Sequence, residues 1–203
     1  MIYFFKKLKI SKLNRGMSYV ELIVVLSIFS VLSSVAIYNY GDFQAKVDIK
    51  NLASDVALKI VEAQKSSLSG LLPTKVFPAG WNPSYGVYFD LATDDKGFIY
   101  FVDLNNSGTF NDTNCTGECI SKIALTKGNY ISSISIFYKG NPTPVSLNNL
   151  TVAFSRPDSG ALIRDNGGVI NQALLDYARI TVSLSKGTTS AIKVYPSGRI
   201  QIN

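Results

Sequence analysis

Between Met17 and Tyr40 the chain reads MSYVELIVVLSIFSVLSSVAIYNY, a run of 24 residues whose only charged side chain is Glu21. A helix needs roughly 20 predominantly apolar residues to cross a bilayer, so this run is long enough to span one. It commits one end of the chain to lipid or to a bundle of similar helices. It also makes Glu21 an anomaly, because a carboxylate at the bilayer centre costs roughly 2.5–3.5 kcal/mol on insertion scales and is kept where it has a partner.

Lys6, Lys7, Lys9, Lys12 and Arg15 precede the run, and the first charge after Glu21 is Asp42. Positive charge is retained on the cytoplasmic side, so the expected topology is single-pass, with the amino end in the cytoplasm and the bulk outside the cytoplasmic (inner) membrane. A cleavable secretory signal is the alternative, with Ser34 to Ala36 offering small residues at the far end. The apolar core of such signals usually runs only 7–15 residues.

The formal charge of +6 is concentrated in the same region: five of the 20 basic side chains lie before residue 17, and the other 15 nearly balance 14 acids. Residues 82–122 hold six acids and two bases, whereas residues 156–203 hold six bases and three acids. The outer part is therefore polarised and not basic overall. Histidine is absent and the only cysteines are Cys115 and Cys119, which excludes a histidine-dependent triad and a four-ligand zinc site within one chain. The pair sits in NCTGEC, where Gly117 permits the sharp turn of a short-loop disulfide; reduced surface thiols are the other reading. An exported domain favours the disulfide.

Beyond the run the pattern turns amphipathic, with Phe43, Val47, Leu52, Val56, Ile60 and Ala63 spaced three to five apart among Lys50, Asp55, Lys59 and Glu62. The helix is expected to continue to a stop near Gly70, and about fifty residues at 1.5 Å each make roughly 75 Å of helix. After Pro73 the period becomes two. YGVYFD, GFIYFVD, YISSISIFYK, LTVAF and ARITVSLS read as strands, with Ile180, Val182 and Leu184 on the core side, and SAIKVYPSGRIQIN reads as a hairpin turned at Pro196 to Gly198. An antiparallel sheet needs an apolar cover, and the only long amphipathic helix is available to supply it. The expectation is α+β: a long N-terminal hydrophobic then amphipathic helix packed on a C-terminal antiparallel β-sheet. The segments are a leader (1–16), a membrane or filament-core stretch (17–40), the amphipathic half of the same helix (41–70) and a sheet head (71–203).

KLNRGMSYVELIVVLSIFSVLSS resembles the leader and amino-terminal helix of type IV prepilins and type II secretion pseudopilins. The resemblance implies a pilin-like fold and a leader cut after Gly16 by prepilin peptidase. Met17 would then be the new, N-methylated terminus, and Glu21 the fifth mature residue, used in assembly. Met17 stands where phenylalanine is commonest, and Tyr38 stands about where a proline often occurs. The implied partners are other pilin or pseudopilin subunits and an inner-membrane assembly platform; the implied role is a structural, non-enzymatic subunit needing no cofactor. One helical turn separates the Met17 ammonium from the Glu21 carboxylate, and in a bundle each can meet its opposite on a neighbour, which makes a buried charge tolerable.

More loosely, LASDVALKIVEAQKSS, YGVYF, IYFVDLNNSGTFND and IKVYPSGRIQI resemble the GspH/FimT group of minor pilins and pseudopilins. Some members of DNA-uptake pili bind DNA through a Gly-Arg-any-Arg motif near the carboxyl terminus. Here Gly198 and Arg199 match and Gln201 replaces the second arginine. Lys193 and Arg199, with Arg179 and Lys186, are the candidate DNA-binding residues, and a solvated strand surface is the plainer account. A displayed binding head, for DNA or a surface, is thus the alternative to a purely structural subunit.

DLNNSGTFNDTN places Asp103, Asn105, Ser107, Thr109 and Asn111 at alternate positions around Gly108, the spacing of a calcium loop. Its twelfth position is Asn114, which cannot supply a bidentate carboxylate, leaving Asp112 or Glu118 as substitutes. Asp, Asn, Ser and Gly are also the residues of a tight strand connection.

Overall fold

The computed structural model describes residues 16–74, 77–112, 115–166, 170–185 and 187–203, without the side chain of Asn39. Leader residues 1–15, Asn114 and Lys186 lie outside the described residues. Contacts divide the chain into two units, one ending at Phe43 and the other running from Gln44 to Asn203.

One helix, α1 (Tyr19–Leu68), crosses that division without a break. It begins after Ser18, whose carbonyl accepts the Leu22 N–H, and Glu21 falls in its first turn. It ends in a Schellman closure: the Leu71 N–H donates to the Ser66 carbonyl and the Gly70 N–H to the Ser67 carbonyl, each at 3.0 Å. Gly70 has φ +67°, where only glycine is comfortable, and a Cβ there would lie 2.5 Å from Arg156 Nη1.

In the first unit α1 carries, apart from the charges of Glu21 and Asp42, a run of exposed apolar side chains that includes Val24, Leu26, Phe29, Val31 and Ile37. Its hydroxyls are satisfied locally, Ser27 Oγ donating to the Val24 carbonyl and Ser30 Oγ to that of Leu26. Such internal bonding is what a helix in an apolar medium requires.

In the second unit α1 buries Ile49, Ala53, Val56, Ile60, Ala63 and Ser67. These follow at alternating four- and three-residue steps, one face of a 3.6-residue helix. The face differs from the expected one at its start: Phe43 is exposed and Val47 half-buried. The five-residue step from Val47 to Leu52 rotates the helix past the stripe, so Phe43 and Val47 fall off the face on which half-buried Leu52 packs with Val56 and Ile60.

Among the described residues ten strands follow: β1 (Ser84–Asp90), β2 (Asp94–Val102), β3 (Cys119–Ala124), β4 (Tyr130–Tyr138), β5 (Asn141–Leu147), β6 (Asn149–Ser155), β7 (Leu162–Arg164), β8 (Leu175–Ser183), β9 (Thr189–Val194) and β10 (Ile200–Ile202). They form two five-stranded sheets and not the expected one, ordered β3-β2-β1-β6-β7 and β10-β9-β8-β4-β5, with every pair antiparallel. Twisted sheets curl or divide as strands accumulate, and two sheets present two apolar faces to one helix. Tyr85, Val87, Phe89, Tyr100 and Phe154 of the first sheet join Ile134, Ile136, Ile180, Val182, Ile192 and Val194 of the second in a single core with the helix. Ile180, Val182 and Leu184 are buried, as the alternation requires, but Ser183, at a position the alternation assigns to solvent, is buried as well. Polar ties fix the helix to this core: Tyr100 Oη donates to Ser66 Oγ at 3.0 Å and Ser67 Oγ to the Pro83 carbonyl at 2.9 Å.

The outer face of the first sheet has its own small cluster of Tyr88, Phe101, Phe110, Cys119 and Ala153. Gly86 makes it possible, because a Cβ there would sit 2.7 Å from the Phe101 ring. Phe110 belongs to the connection between β2 and β3, which therefore lies as a cover over this face.

Candidate functional site

Three places carry polar or chargeable groups with a definite geometry. At the amino end a Cβ added to Gly16 would meet no atom within 4 Å among the described residues, Met17 is exposed and Glu21 lies in the first turn of α1. Ser18 at the cap and Glu21 three residues later form the S-x-x-E pattern of a capping box. The dipole of the first turn also favours a carboxylate. The motif is visible in SYVE once the helix is known to start at Tyr19; without that boundary Glu21 stands out only as a charge.

The second place is the β2–β3 connection. Asp103 is buried, and its carboxylate accepts the Ser107 N–H (3.0 Å) on Oδ1 and the Gly108 N–H (2.7 Å) on Oδ2. Its carbonyl accepts Trp81 Nε1 at 2.7 Å. Asn105 Oδ1 also accepts the Ser107 N–H, and Ser107 Oγ meets the Thr109 carbonyl at 3.0 Å and Asn111 Nδ2 at 2.9 Å. Asp103, Asn105, Ser107, Thr109 and Asn111 are thus brought together, held by hydrogen bonds to one another and to the backbone. Glu118 arrives from beyond the turn: Oε1 accepts the Leu104 N–H and Oε2 the Asn111 N–H, at 3.2 and 3.1 Å. Burial pushes the Glu118 carboxyl above its ordinary value, and the nearby Asp103 adds to the rise against the pull of these N–H donors. Among the described residues no group of three or more His, Cys, Asp or Glu side chains is gathered as for a metal ion.

Cys115 and Cys119 are joined as a disulfide, with Cα atoms 4.7 Å apart. Asp112 Oδ2 accepts the Gly117 N–H (2.7 Å) inside that ring.

The third place is the outer face of the second sheet. Strand register sets Phe137 opposite Tyr177 and Arg179 opposite Lys193. The Phe137 and Tyr177 rings stack at 4.6 Å, and Tyr195 follows at 5.6 Å from Tyr177. Each ring carries a cation: Arg179 over Phe137 at 4.7 Å, Lys193 over Tyr177 at 4.9 Å and Arg199 over Tyr195 at 3.8 Å. Among the described ion pairs none involves these three cations, and Arg179 Nε is buried without a hydrogen-bond partner. The hairpin turn sets Arg199, its carbonyl accepting the Tyr195 N–H at 2.9 Å. Lys193 and Arg199 therefore share a face with Arg179, and the aromatic row beneath them is hidden in the sequence because it is drawn from separate strands.

No family model, curated protein or solved structure matches this chain.

Proposed function

We propose that this chain is a non-enzymatic subunit of a pilin-type filament, a minor pilin or pseudopilin of a type IV pilus or a type II secretion-like system. On this reading prepilin peptidase removes the leader after Gly16 and Met17 is methylated. The apolar half of α1 then holds the subunit in the cytoplasmic membrane until the assembly platform transfers it to the filament. One observation carries the reading: a single helix exposes a run of apolar side chains between Val20 and Tyr40, interrupted by the charge of Glu21, yet from Ile49 onward serves as the core element of a sheet-built head. Large exposed apolar surface calls for a partner phase, which lipid supplies before assembly and neighbouring helices supply after it.

The deciding experiment is the intact mass and amino-terminal sequence of the membrane-extracted protein. A chain beginning with N-methylated Met17 is expected. A start after Ala36, or an untouched Met1 in peptidase-positive cells, sinks the proposal.

A displayed binding head is the second reading, favoured by the cations Arg179, Lys193 and Arg199, which enter no ion pair among the described residues. DNA retention that falls steeply with salt and needs Arg199 is its signature.

A further inference from the structure

The cationic face of the second sheet has a complement on the same molecule. Asp90 and Asp94 are register partners at the β1–β2 turn, with Asp95 next in the chain. Asp112 lines the same cleft as Asp90 and Asp94, and Asp165 acts electrostatically on Tyr88, which forms part of its wall. Lys122 pairs with Asp94 at 2.9 Å, which holds that carboxyl below its ordinary value, and Lys96 is exposed nearby. Asp90, Asp94, Asp95, Asp112 and Asp165 thus gather on this flank with Lys96, Lys122 and Arg164, the last in register with Tyr88 through Thr151, whereas Arg179, Lys193 and Arg199 stand on the other face. The strands under those cations, β4, β8, β9 and β10, contain a single acid, Asp176, whose position alternates with those of Tyr177 and Arg179.

We propose that the Arg179, Lys193 and Arg199 face docks on the acidic flank around Asp90, Asp94 and Asp95 of a second copy of this chain. The proposal rests on the filament reading and supplies the head-to-head contact that reading leaves open. Because the two patches are different surfaces of one molecule, the contact is heterologous, and a heterologous contact that does not close on itself propagates as an open helical chain. Exposed charge pairs are individually weak and set orientation more than affinity, which suits a contact made after the helices have already brought the heads together. A nucleic acid is the less favoured occupant. Its capture grows with the number of phosphates neutralised, and among the described residues this face offers three cations, each already laid over a ring.

The test uses the processed full-length chain in nanodiscs of zwitterionic lipid, one chain per disc, so that helices cannot associate within a shared bilayer. Association between two fluorescently labelled populations is followed by energy transfer at about 10 mM salt, where screening reaches ~30 Å, and at about 1 M, where it reaches ~3 Å. The parent should associate at low salt and separate at high salt. Lys193→Glu with Arg199→Glu should weaken association at least about tenfold, and so should Asp94→Lys with Asp95→Lys. Mixing these two variants should restore association, since the reversed charges match again. Arg199→Gln, at an exposed turn position, provides a milder variant with a loss of about threefold. Association that ignores salt and charge, or a mixture that fails to recover, overturns the proposal. Duplex DNA retained by the parent without any copy-to-copy association overturns it in favour of the binding head. If the heads ignore one another while Met17 is still the mature terminus and Glu21 is still needed in filaments, the filament reading survives and only this contact is lost.

Discussion

Asp103 and Glu118 hold one loop from its two flanks: Asp103 Oδ2 accepts the Gly108 N–H at 2.7 Å while Glu118 Oε2 accepts the Asn111 N–H at 3.1 Å. Between those two anchors lies Phe110, which covers the outer cluster of the first sheet. Two buried carboxylates therefore do for this connection what a bound cation does in a calcium loop, namely gather its backbone.

Removing one anchor should loosen the cover. Asp103→Ala leaves the Ser107 and Gly108 N–H groups without their charged acceptor, and hydrogen bonds to charged groups contribute about 1.5–3 kcal/mol each. The expected loss is ~2–4 kcal/mol, a fall in Tm of about 5–15 °C for a unit of this size. The measurement is thermal unfolding of the full-length chain in detergent, in chelator and in millimolar calcium. An equal loss in both is expected of a hydrogen-bonded turn. A calcium-induced rise in the parent that disappears in Asp103→Ala would instead establish a metal site at Asp103, Asn105 and Ser107.

Glu118 gives the head a pH dependence of definite sign. Its carboxyl is raised above the ordinary 4.5 by burial first, so the folded state binds the proton more tightly than the unfolded state does. The stability it contributes is present below the ordinary glutamate value and is lost as pH rises through the raised one. Asp94, lowered by its hydrogen bond to Lys122, works in the opposite direction and loses its contribution as pH falls, so total stability is a poor reporter. The difference between parent and Glu118→Gln isolates the group. That difference, followed by denaturant unfolding from about pH 4 to 7, should move against the parent as pH rises. A flat difference would show that Glu118 ionises as it does in the unfolded chain.

Gly198 is the point where the terminal hairpin meets the helix. It has φ +82°, a Cβ there would press into the Ser159 carbonyl oxygen, and Gln64 Nε2 donates to that same oxygen at 2.9 Å. Gly198→Ala should cost about 1–3 kcal/mol through backbone strain and displaced packing. It should also shift the turn that sets Arg199 over Tyr195. Unchanged unfolding together with an unchanged Tyr195 environment, read by NMR, would contradict this role for the turn.

What could be read from residue order follows from the range of the forces involved. The apolar run and the strands with clean alternation, such as ARITVSLS, are local patterns and are recovered as α1, β1, β2, β4, β6, β8 and the terminal hairpin. Strand β5 escapes such a reading because Pro142 and Pro144 argue against a strand in general; they are tolerated here because β5 is a sheet edge, paired only with β4. The three residues of β7 and the mixed pattern of β3 are too short or too polar to stand out. The division into two sheets depends on which strands become neighbours, β1 with β6 and β4 with β8, and those pairings are not encoded within either strand. The row Phe137, Tyr177 and Tyr195 is hidden for the same reason. Glu21, by contrast, is legible as an anomaly, whereas its relation to Ser18 needs the helix start to be located at Tyr19.

That relation sharpens what a substitution at Glu21 can decide. As the last residue of an S-x-x-E capping pattern, Glu21 would support the first turn, a role that glutamine also fills and whose loss costs about 0.5–2 kcal/mol. On the filament reading it would instead meet the Met17 ammonium of a neighbouring subunit, a role that glutamine cannot fill. Breaking a buried pair so that one charge is stranded costs about 3–5 kcal/mol. The stranded charge outweighs the lost cap and should govern assembly. Glu21→Gln and Glu21→Ala are therefore both expected to leave membrane levels of the processed monomer similar or raised, since a carboxylate unfavourable in lipid is gone, and both should lose most incorporation into filaments. Ser18→Ala, which removes the cap and keeps the charge, should incorporate nearly normally. The measurement is subunit content of sheared filaments against membrane content, by quantitative immunoblot, for the three variants. Incorporation of Glu21→Gln but not Glu21→Ala would assign Glu21 to the cap. Normal incorporation of both would show that Glu21 is no register charge, and would leave a carboxylate in an otherwise uncharged run without a partner to explain it.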